Sequence, residues 1–518
     1  MNFIHYLRER ISTDAQPALV TPKQTCSYAE LYAAADRVHG WLLAKEIRPG
    51  DRVPIVADNS FFWCAAYLGL LQAGVVAVPL MPNIEKEQCR RIMAGIEPRA
   101  LFIQQPFVSA FAELVDRSIF VVTDQAVASV SEGAAAFDSI NLLSELAEGS
   151  LDLRAFEPAN DASHLASIIF TSGSTGLSRG VMISHRNLRA NTESILQYLQ
   201  LSSADRMMAV LPFSYCFGTS LLHTHLAVGA SVAIGFPFMF PDRVLHGINH
   251  LGCTGFAGVP SHYQILLRRS SLPSMTFPTL RHVQQAGGRM SGEDLLELQK
   301  YLPTTRIYVM YGQTEATARL SYLPPEKLAS KPNSIGHAIP GVQLSIEDES
   351  GREAAPGQLG EIVAGGDNIT QGYWNDSVET SKVFRNGKLH TSDIAYRDEE
   401  GDIFIVYRIK NFLKLAGYRV STLDLEQKLG HFPGVIELAV VGMEDREMGE
   451  AVKLCLVHRQ GKEALEELTK FCQANLPAYE QPKAIVFLDE LPKLSSGKVD
   501  CQALKAWSPV KQSGMEIP

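Results

Sequence analysis

The sequence predicts an α/β protein whose organisation changes twice along the chain. In the first part, helical and strand patterns alternate, which is typical of a parallel sheet covered by helices. Short strands separated by Pro-Gly and Gly-Gly turns then predict a β-rich, barrel-like subdomain over about 334–405. After about residue 410, strands and helices interleave again, which predicts a smaller α+β domain.

The alternation can be followed element by element in the first part of the chain. An amphipathic helix is predicted over Tyr28–Leu43 and a strand over Arg52–Ala57. A second helical pattern over Lys86–Gly95 precedes a strand over Arg99–Ile103. The same order continues from residue 164 to 311, so two doubly wound αβ layers are expected before the β-rich subdomain.

The stretch 60–81 is apolar enough to imitate a membrane span, because only Ser60 and Gln72 in it are strongly polar. Gly74 interrupts the stretch, and the β-branched run Val75–Val78 favours a strand. A buried helix over about 60–73, a glycine turn and a buried parallel strand explain the pattern better. No integral membrane segment is therefore expected.

Composition excludes several classes of protein. The chain has 518 residues, of which 46% are hydrophobic and 20% charged, as in ordinary globular proteins of several packing units. Its net charge of −9 argues against non-specific binding to nucleic acid as its function. None of the eight cysteines forms a C-x-x-C pair, and no signal peptide is evident, so a cytoplasmic location is expected.

The most informative segment is residues 168–187, IIFTSGSTGLSRGVMISHRN. A predicted strand leads into a loop rich in backbone N–H groups and hydroxyls, and Arg179 follows it. Such a loop suits the oxygens of a polyphosphate. It is not a Walker A loop, because no Lys-Ser/Thr pair follows the glycines. On composition alone, a solvated Ser/Gly turn is the alternative.

This loop resembles the signature T-S-G-[ST]-T-G-x-P-K-G of the adenylate-forming superfamily, which includes acyl-CoA synthetases, luciferases and the adenylation domains of peptide synthetases. The sequence departs from the signature at Ser178 and Arg179, where the family has Pro and Lys. The resemblance implies ATP binding by Thr171, Ser172, Gly173, Ser174, Thr175, Gly176 and Arg179.

Two further segments resemble nucleotide-binding motifs of the family. The run 285–290, QAGGRM, is similar to the turn against which adenine packs, which implicates Gly287 and Gly288. In Y-G-Q-T-E, Tyr311 would stack on adenine, Thr314 would bond the α-phosphate and Glu315 would hold Mg²⁺. Carboxylate and hydroxyl oxygens suit this hard cation. Taken alone, this segment is equally consistent with a turn and a capping Glu.

The last motifs imply a mobile C-terminal domain. Asp393 in T-S-D and Arg408, preceded by Tyr407 where the family has glycine, would bind the ribose. Lys410 matches the hinge residue, which divides the chain into 1–409 and 410–518. Gly417 would line the thiol tunnel, and Lys498 in LPKLSSGKVD would be the catalytic lysine together with Thr314 and Glu315.

The expected substrate pocket lies around residues 211–218, LPFSYCFG. Amino-acid-activating relatives carry Asp where this chain has Ser214, and an unpaired ammonium would be costly to bury. Phe213, Tyr215 and Gly258 would help form an apolar slot, so fatty or aryl acids are favoured. Plain core packing is the alternative role for the aromatic residues.

The resemblance implies an acid–thiol ligase that uses ATP and Mg²⁺. The carboxylic acid would become acyl-AMP with release of pyrophosphate, and the acyl group would pass to CoA or to the phosphopantetheine of a carrier protein. Two alternatives stay open. One is an enzyme that adenylates an amino acid and loads it on a carrier protein, and the other is a luciferase-like oxygenase.

Overall fold

The fold is taken from a computed structural model. It describes residues 1–11, 13–114, 118–125, 139–141, 162–171, 178–408, 412–415, 418–445, 449–494 and 497–507.

Two large sheets form the body of the N-terminal part. Sheet A is parallel through its centre and antiparallel at both edges. Its strands, in chain order, are β1 (Pro17–Val20), β2 (Thr25–Ser27), β10 (Arg206–Met208), β11 (Ser231–Ala233), β12 (Gly255–Gly258), β13 (His282–Gln285), β14 (Arg306–Tyr311), β15 (Ser321–Leu323) and β16 (His337–Ala338). In space they run β16-β15-β14-β13-β12-β10-β11-β1-β2.

Sheet B is parallel except for the hairpin of its last two strands. Its members are β3 (Arg52–Val56), β4 (Val76–Leu80), β5 (Ala100–Ile103), β6 (Phe120–Thr123), β7 (Ser139–Asn141), β8 (Leu165–Thr171) and β9 (Arg179–Ser184). The spatial order is β7-β6-β5-β3-β4-β8-β9. These two sheets agree with the predicted pair of αβ layers.

Helices cover the sheets and supply most of the core between them. They include α1 (Phe3–Arg8), α2 (Tyr28–Ala44), α3 (Phe61–Gln72), α4 (Lys86–Ile96), α5 (Val108–Phe111), α6 (His185–Leu199), α7 (Cys216–Ala227), α8 (Pro241–His250), α9 (Pro260–Arg269) and α10 (Gly292–Tyr301). The largest hydrophobic cluster joins α2, α3, α6 and α7 through residues such as Trp63, Phe102 and Leu222.

The helix α2 begins where its sequence indicates. The Ser27 side chain accepts a hydrogen bond from the backbone N–H of Glu30, and the Glu30 side chain accepts one from the N–H of Ser27. This capping box satisfies two backbone donors that the first helical turn leaves unpaired.

The apolar stretch 60–81 forms a buried helix and a buried strand, as predicted. Ser60 caps α3. Gln72, the other strongly polar residue of the stretch, accepts a hydrogen bond from Arg8 and donates one to Asp36. The strand β4 continues through Pro79 to Leu80, two residues further than predicted, because β3 pairs with it there, with Ile55 opposite Pro79 and Val56 opposite Leu80. Among the helices of the described residues, none is both long and apolar enough to cross a bilayer.

Two smaller sheets follow in the chain. Sheet C is antiparallel and contains β17 (Val342–Glu347), β18 (Gly360–Gly366), β19 (Phe384–Arg385), β20 (Lys388–Arg397) and β21 (Ile403–Arg408), with α11 (Ser377–Val383) inserted. Sheet D contains β22 (Phe412–Leu415), β23 (Tyr418–Ser421), β24 (Val435–Asp445), β25 (Gly449–His458) and β26 (Ala484–Phe487). The helices α12 (Thr422–Gly430), α13 (Leu465–Asn475) and α14 (Cys501–Ala506) complete this C-terminal α+β unit.

The close packing of α3 on α2 generates a prediction about Gly69. A Cβ atom at this position would lie 2.5 Å from Val38 Cβ and 2.7 Å from the Ala35 carbonyl oxygen. Gly69→Ala should therefore lower the free energy of unfolding by about 1–3 kcal/mol, measured by urea denaturation. The matched control is Gly95→Ala in α4, where a Cβ meets nothing within 4 Å. That variant should be stabilised by about 0.5–1 kcal/mol, and equal effects at both positions would contradict the packing argument.

Candidate active site

Three neighbouring strands of sheet A bring the predicted motifs to one edge. The strands β12, β13 and β14 are parallel and in register, with Gly258 opposite Gln285 and Gln285 opposite Val309. The Gly287 turn follows β13, and the segment with Thr314 and Glu315 follows β14. Ligands of parallel α/β sheets bind beyond the carboxyl ends of the strands, so this edge is the candidate active site.

The Gly287 turn lies against the C-terminal unit. The Gln285 side-chain amide donates a 2.8 Å hydrogen bond to the Gly288 carbonyl oxygen and closes the turn. Gly287 has a φ of +86°, and a Cβ there would be 2.9 Å from Val259 Cγ1 and 3.5 Å from Lys498 Cε. The absence of a side chain therefore leaves the space that the Lys498 stem borders.

The segment that carries Lys498 is seated on α9. The Ser261 hydroxyl donates a 2.7 Å hydrogen bond to the Gly497 carbonyl oxygen. Beyond this contact, Arg289 donates to Gln427 at 3.0 Å, and His431 lies 3.3 Å from Glu293. The structure thus holds the C-terminal unit with Lys498 facing the strand ends of sheet A.

Cys216, at the start of α7, marks where these groups converge. Its sulfur lies 3.4 Å from the Thr314 hydroxyl oxygen. Burial raises the pKa of the Cys216 thiol, while the Thr314 hydrogen bond and the positive charges of Lys498 and Arg319 act against that rise. Groups from α7, from the segment after β14 and from the C-terminal unit therefore surround one small volume.

Glu315 is held by a buried tyrosine. The Tyr373 hydroxyl donates a 2.7 Å hydrogen bond to Glu315 Oε1, and Thr370 donates to the Glu315 backbone carbonyl at 3.0 Å. Arg179 lies over the Tyr373 ring, 5.9 Å from its centroid. The guanidinium is also 3.5 Å from Asp376 and 3.4 Å from Glu379. Arg179 is consequently oriented by two carboxylates beside the tyrosine that orients Glu315.

The predicted ribose and adenine residues are also close together. The Tyr311 hydroxyl donates a 2.6 Å hydrogen bond to Asp393 Oδ2, and Asp393 is buried. In the ladder between β20 and β21, Asp393 stands opposite Arg408. The preceding Ser392 has a φ of +62°, a left-handed conformation that favours the glycine found in the related T-G-D motif.

The predicted pocket residues differ in their surroundings. Phe213 is fully buried, with its ring 5.3 Å from Trp63, so it belongs to the core between the sheets. Ser214 contacts the Met81 sulfur. Tyr215 caps α7, and Gly258 ends β12 beside His262.

Part of the predicted site lies outside the described residues. Thr171 is described at the end of β8, where its hydroxyl donates to the Arg179 carbonyl at 3.4 Å. The other loop residues, the hinge and the tunnel residue are outside the described ranges: Ser172, Gly173, Ser174, Thr175, Gly176, Lys410 and Gly417.

Sequence patterns assigned no role to three side chains of this site, Cys216, Tyr373 and Arg319. Tyr373 and Glu315 are 58 residues apart, so no local spacing connects them. Arg319 did carry a signal, since it is a single charge within the run Ala316–Leu323, most of which is buried. A charged residue inside a buried segment is uncommon unless it is paired or functional.

Comparison with known proteins identifies the family. A model of the AMP-binding enzyme family matches residues 10–374, and a model of the AMP-binding enzyme C-terminal domain matches residues 424–498. The chain belongs to the AMP-binding enzyme family. The predicted membership of the adenylate-forming superfamily is thereby confirmed.

Relatives of this family member cover nearly its whole length. It is 28% identical over 513 residues to a long-chain-fatty-acid–CoA ligase of Escherichia coli O157:H7, covering 93% of this chain and 90% of the relative. An oxalate–CoA ligase of Arabidopsis thaliana is 27% identical over 500 residues, 94% of each chain. The crystal structure of ATP-bound MatB from Rhodopseudomonas palustris superposes with a TM-score of 0.84 at 26% identity, covering 97% of this chain and 98% of that one.

The hydrogen bond between Tyr373 and Glu315 can be measured by a double-mutant cycle. Tyr373→Phe, Glu315→Ala and the double variant should give a coupling free energy of about 1–2 kcal/mol in urea denaturation, because the bond has a charged acceptor in a partly buried position. Free energies of unfolding that simply add would show that the two side chains do not interact.

Proposed function

We propose that this AMP-binding enzyme is an AMP-forming acid–CoA ligase. It would join a carboxylic acid to AMP with release of pyrophosphate and then pass the acyl group to the thiol of CoA. The observation that carries the proposal is the position of Lys498 beside Gly287, within electrostatic range of the Cys216 thiol that contacts Thr314. The CoA ligases among its relatives support the choice of thiol.

The first half-reaction needs positive charge, because a carboxylate must approach the negatively charged α-phosphate of ATP. Lys498 enters this site from the C-terminal unit, and Arg179 is oriented at its other side. Preorganised cations of this kind stabilise the developing charge without having to reorganise during the reaction. In this proposal Lys498 bridges the carboxylate and the α-phosphate, and Thr314 donates to a phosphate oxygen.

The side chains at Glu315 fit a magnesium ion. Mg²⁺ in nucleotide sites is usually held by one or two carboxylates together with the phosphates and water. Glu315 supplies one carboxylate, and its Oε1 is oriented by Tyr373. The ion would supply charge neutralisation on the phosphates, while Glu315 and Tyr373 fix the position of that oxygen in the site.

The second half-reaction needs a different arrangement of the two units. The segment with Lys498 is seated on α9, so the C-terminal unit would occupy the approach to the acyl carbon. We propose that residues 410–518 rotate about Lys410, which withdraws Lys498 and brings the loop at Gly417 to the thiol. A carrier-protein phosphopantetheine presents the same thiol as CoA and is the alternative acceptor.

A carboxylic acid without an amino group fits the pocket better than an amino acid. Ser214 offers no negative charge to an α-ammonium, and Arg319 adds a buried positive charge near Cys216. Burial of an ammonium beside a guanidinium would be strongly unfavourable. These two residues therefore disfavour the amino-acid alternative. They do not bear on the luciferase-like alternative, because such an enzyme would also form an acyl-AMP.

The proposal is tested by ATP–pyrophosphate exchange across fatty, aryl, dicarboxylic and amino acids, followed by thioester assays with CoA and with a pantetheinylated carrier protein. Exchange with a carboxylic acid and thioester formation with CoA are expected. Absence of exchange with every acid would overturn the adenylation step. Light emission without thioester formation would favour the luciferase-like alternative.

The two half-reactions should separate in a Lys498→Ala variant. Loss of the cation should lower the rate of pyrophosphate exchange by about 100-fold or more, because a preorganised charge is removed from the transition state. Thioester formation from chemically prepared acyl-AMP should be almost unchanged. The control is Lys505→Ala, an exposed lysine of the same unit. Equal loss of both half-reactions would contradict this division of roles.

A further inference from the structure

Arg319 is a buried cation that the mechanism above does not use. It lies four residues after Glu315, in the segment that returns from β14 to β15. Its side chain is among the largest fully buried ones of the described residues, with 1% exposure. A buried guanidinium is expensive unless carboxylates or other acceptors compensate its charge.

The surroundings of Arg319 supply neutral partners, among them the Tyr198 hydroxyl, and no carboxylate of the described residues. Its Nε donates a 3.2 Å hydrogen bond to the Met310 sulfur, a weak acceptor, and its Cζ lies 4.1 Å from the centroid of the Phe217 ring. The Nη2 atom is buried and has no hydrogen-bond partner. Among the described residues, no Asp or Glu oxygen is within 4.0 Å of the guanidinium.

The position of Arg319 connects it to the acyl side of the site. Phe217, on which the guanidinium stacks, is in the segment 211–218 that is predicted to form the substrate pocket. The neighbouring Cys216 is influenced by the positive charge of Arg319 and lies 3.4 Å from Thr314. The Arg319 guanidinium therefore lies beside the segment expected to hold the acyl part of a substrate whose carboxylate would meet Thr314 and Lys498.

We propose that Arg319 receives a second anionic group of the substrate, so that the acid activated is a dicarboxylic acid. A guanidinium presents paired N–H donors in a plane that matches a carboxylate, and Nη2 has an unused donor for it. One carboxylate reacts with ATP, and the other pairs with Arg319 against Phe217. The charge, which meets no carboxylate among the described residues of the free protein, is neutralised when this substrate binds. This assignment rests on the proposed ligase function and specifies its substrate.

The test compares acids that differ only in the distal group. Pyrophosphate exchange is measured for the wild-type protein with malonate, succinate, glutarate and adipate, each paired with the monocarboxylic acid of the same number of carbons. At least one dicarboxylate should exceed its partner in kcat/KM by about 100-fold or more, because the partner would leave the buried donor unpaired. A preference for the monocarboxylate in every pair would overturn the proposal.

Substitution of Arg319 should change this preference. Arg319→Met keeps a similar volume without the charge and should reverse the order within the best pair, whereas Arg319→Lys should retain part of the dicarboxylate preference. Arg352→Met, at a side chain that is 80% exposed, is the control and should behave as wild type. An unchanged order in Arg319→Met would contradict the assignment.

The outcomes separate the two levels of the proposal. Exchange with monocarboxylic acids alone would support the ligase function and contradict the proposed role of Arg319. Failure of every acid in the wild-type protein removes the ligase function itself. Because the comparison of paired acids uses the wild-type protein, it decides the substrate class even where an Arg319 variant does not fold.

Discussion

The in-register parallel pairing of β12, β13 and β14 is the constraint on which the candidate site depends. Parallel strands direct their carboxyl ends to one edge, where the segments after each strand leave the ladder. The residues that follow β12 begin α9, those after β13 form the Gly287 turn, and those after β14 carry Thr314 and Glu315. A change in the register of one strand would move Ser261 on α9, which bonds Gly497, away from the Gly287 turn that Lys498 borders.

The candidate site carries several positive charges, although the chain as a whole is negatively charged. The protein is acidic overall, with a net charge of −9, yet Lys498 and Arg319 both lie near Cys216, and Arg179 lies over the ring of the tyrosine that bonds Glu315. Within a partly buried site, charges interact more strongly than in water. Glu315 and Asp393 each accept a hydrogen bond from a tyrosine hydroxyl, which helps to hold these carboxylates in place.

Local features of the fold were well predicted from the sequence, and long-range pairings were not. The predicted helix Tyr28–Leu43 corresponds to α2, and the buried helix and strand of 60–81 were found, because hydrophobic periodicity and capping residues act within one element. The order of strands in sheet A depends on packing between distant segments. Nothing in the local sequence places β10 between β11 and β12.

The same distinction applies to the site. Tyr311, Thr314, Glu315, Asp393 and Lys498 belong to short motifs, and the structure brings Tyr311 to Asp393 and Lys498 to the Gly287 turn. Whether these residues have the predicted roles stays a prediction. The contacts of Tyr373 with Glu315 and of Arg319 with Phe217 join residues far apart in the chain. Such pairs arise from tertiary packing, which a single sequence does not reveal.

The seat of the C-terminal unit on α9 has a thermodynamic consequence. The contact includes the hydrogen bond from Ser261 and pairs of solvent-accessible side chains such as His431 and Glu293. Each such exposed pair contributes little to the stability of the contact. A nucleotide that touches both the Gly287 turn and Lys498 would bind this arrangement more tightly than one with the units apart, and it would shift the population accordingly. Its apparent affinity would then report the fraction of molecules already closed, as well as the contacts in the site.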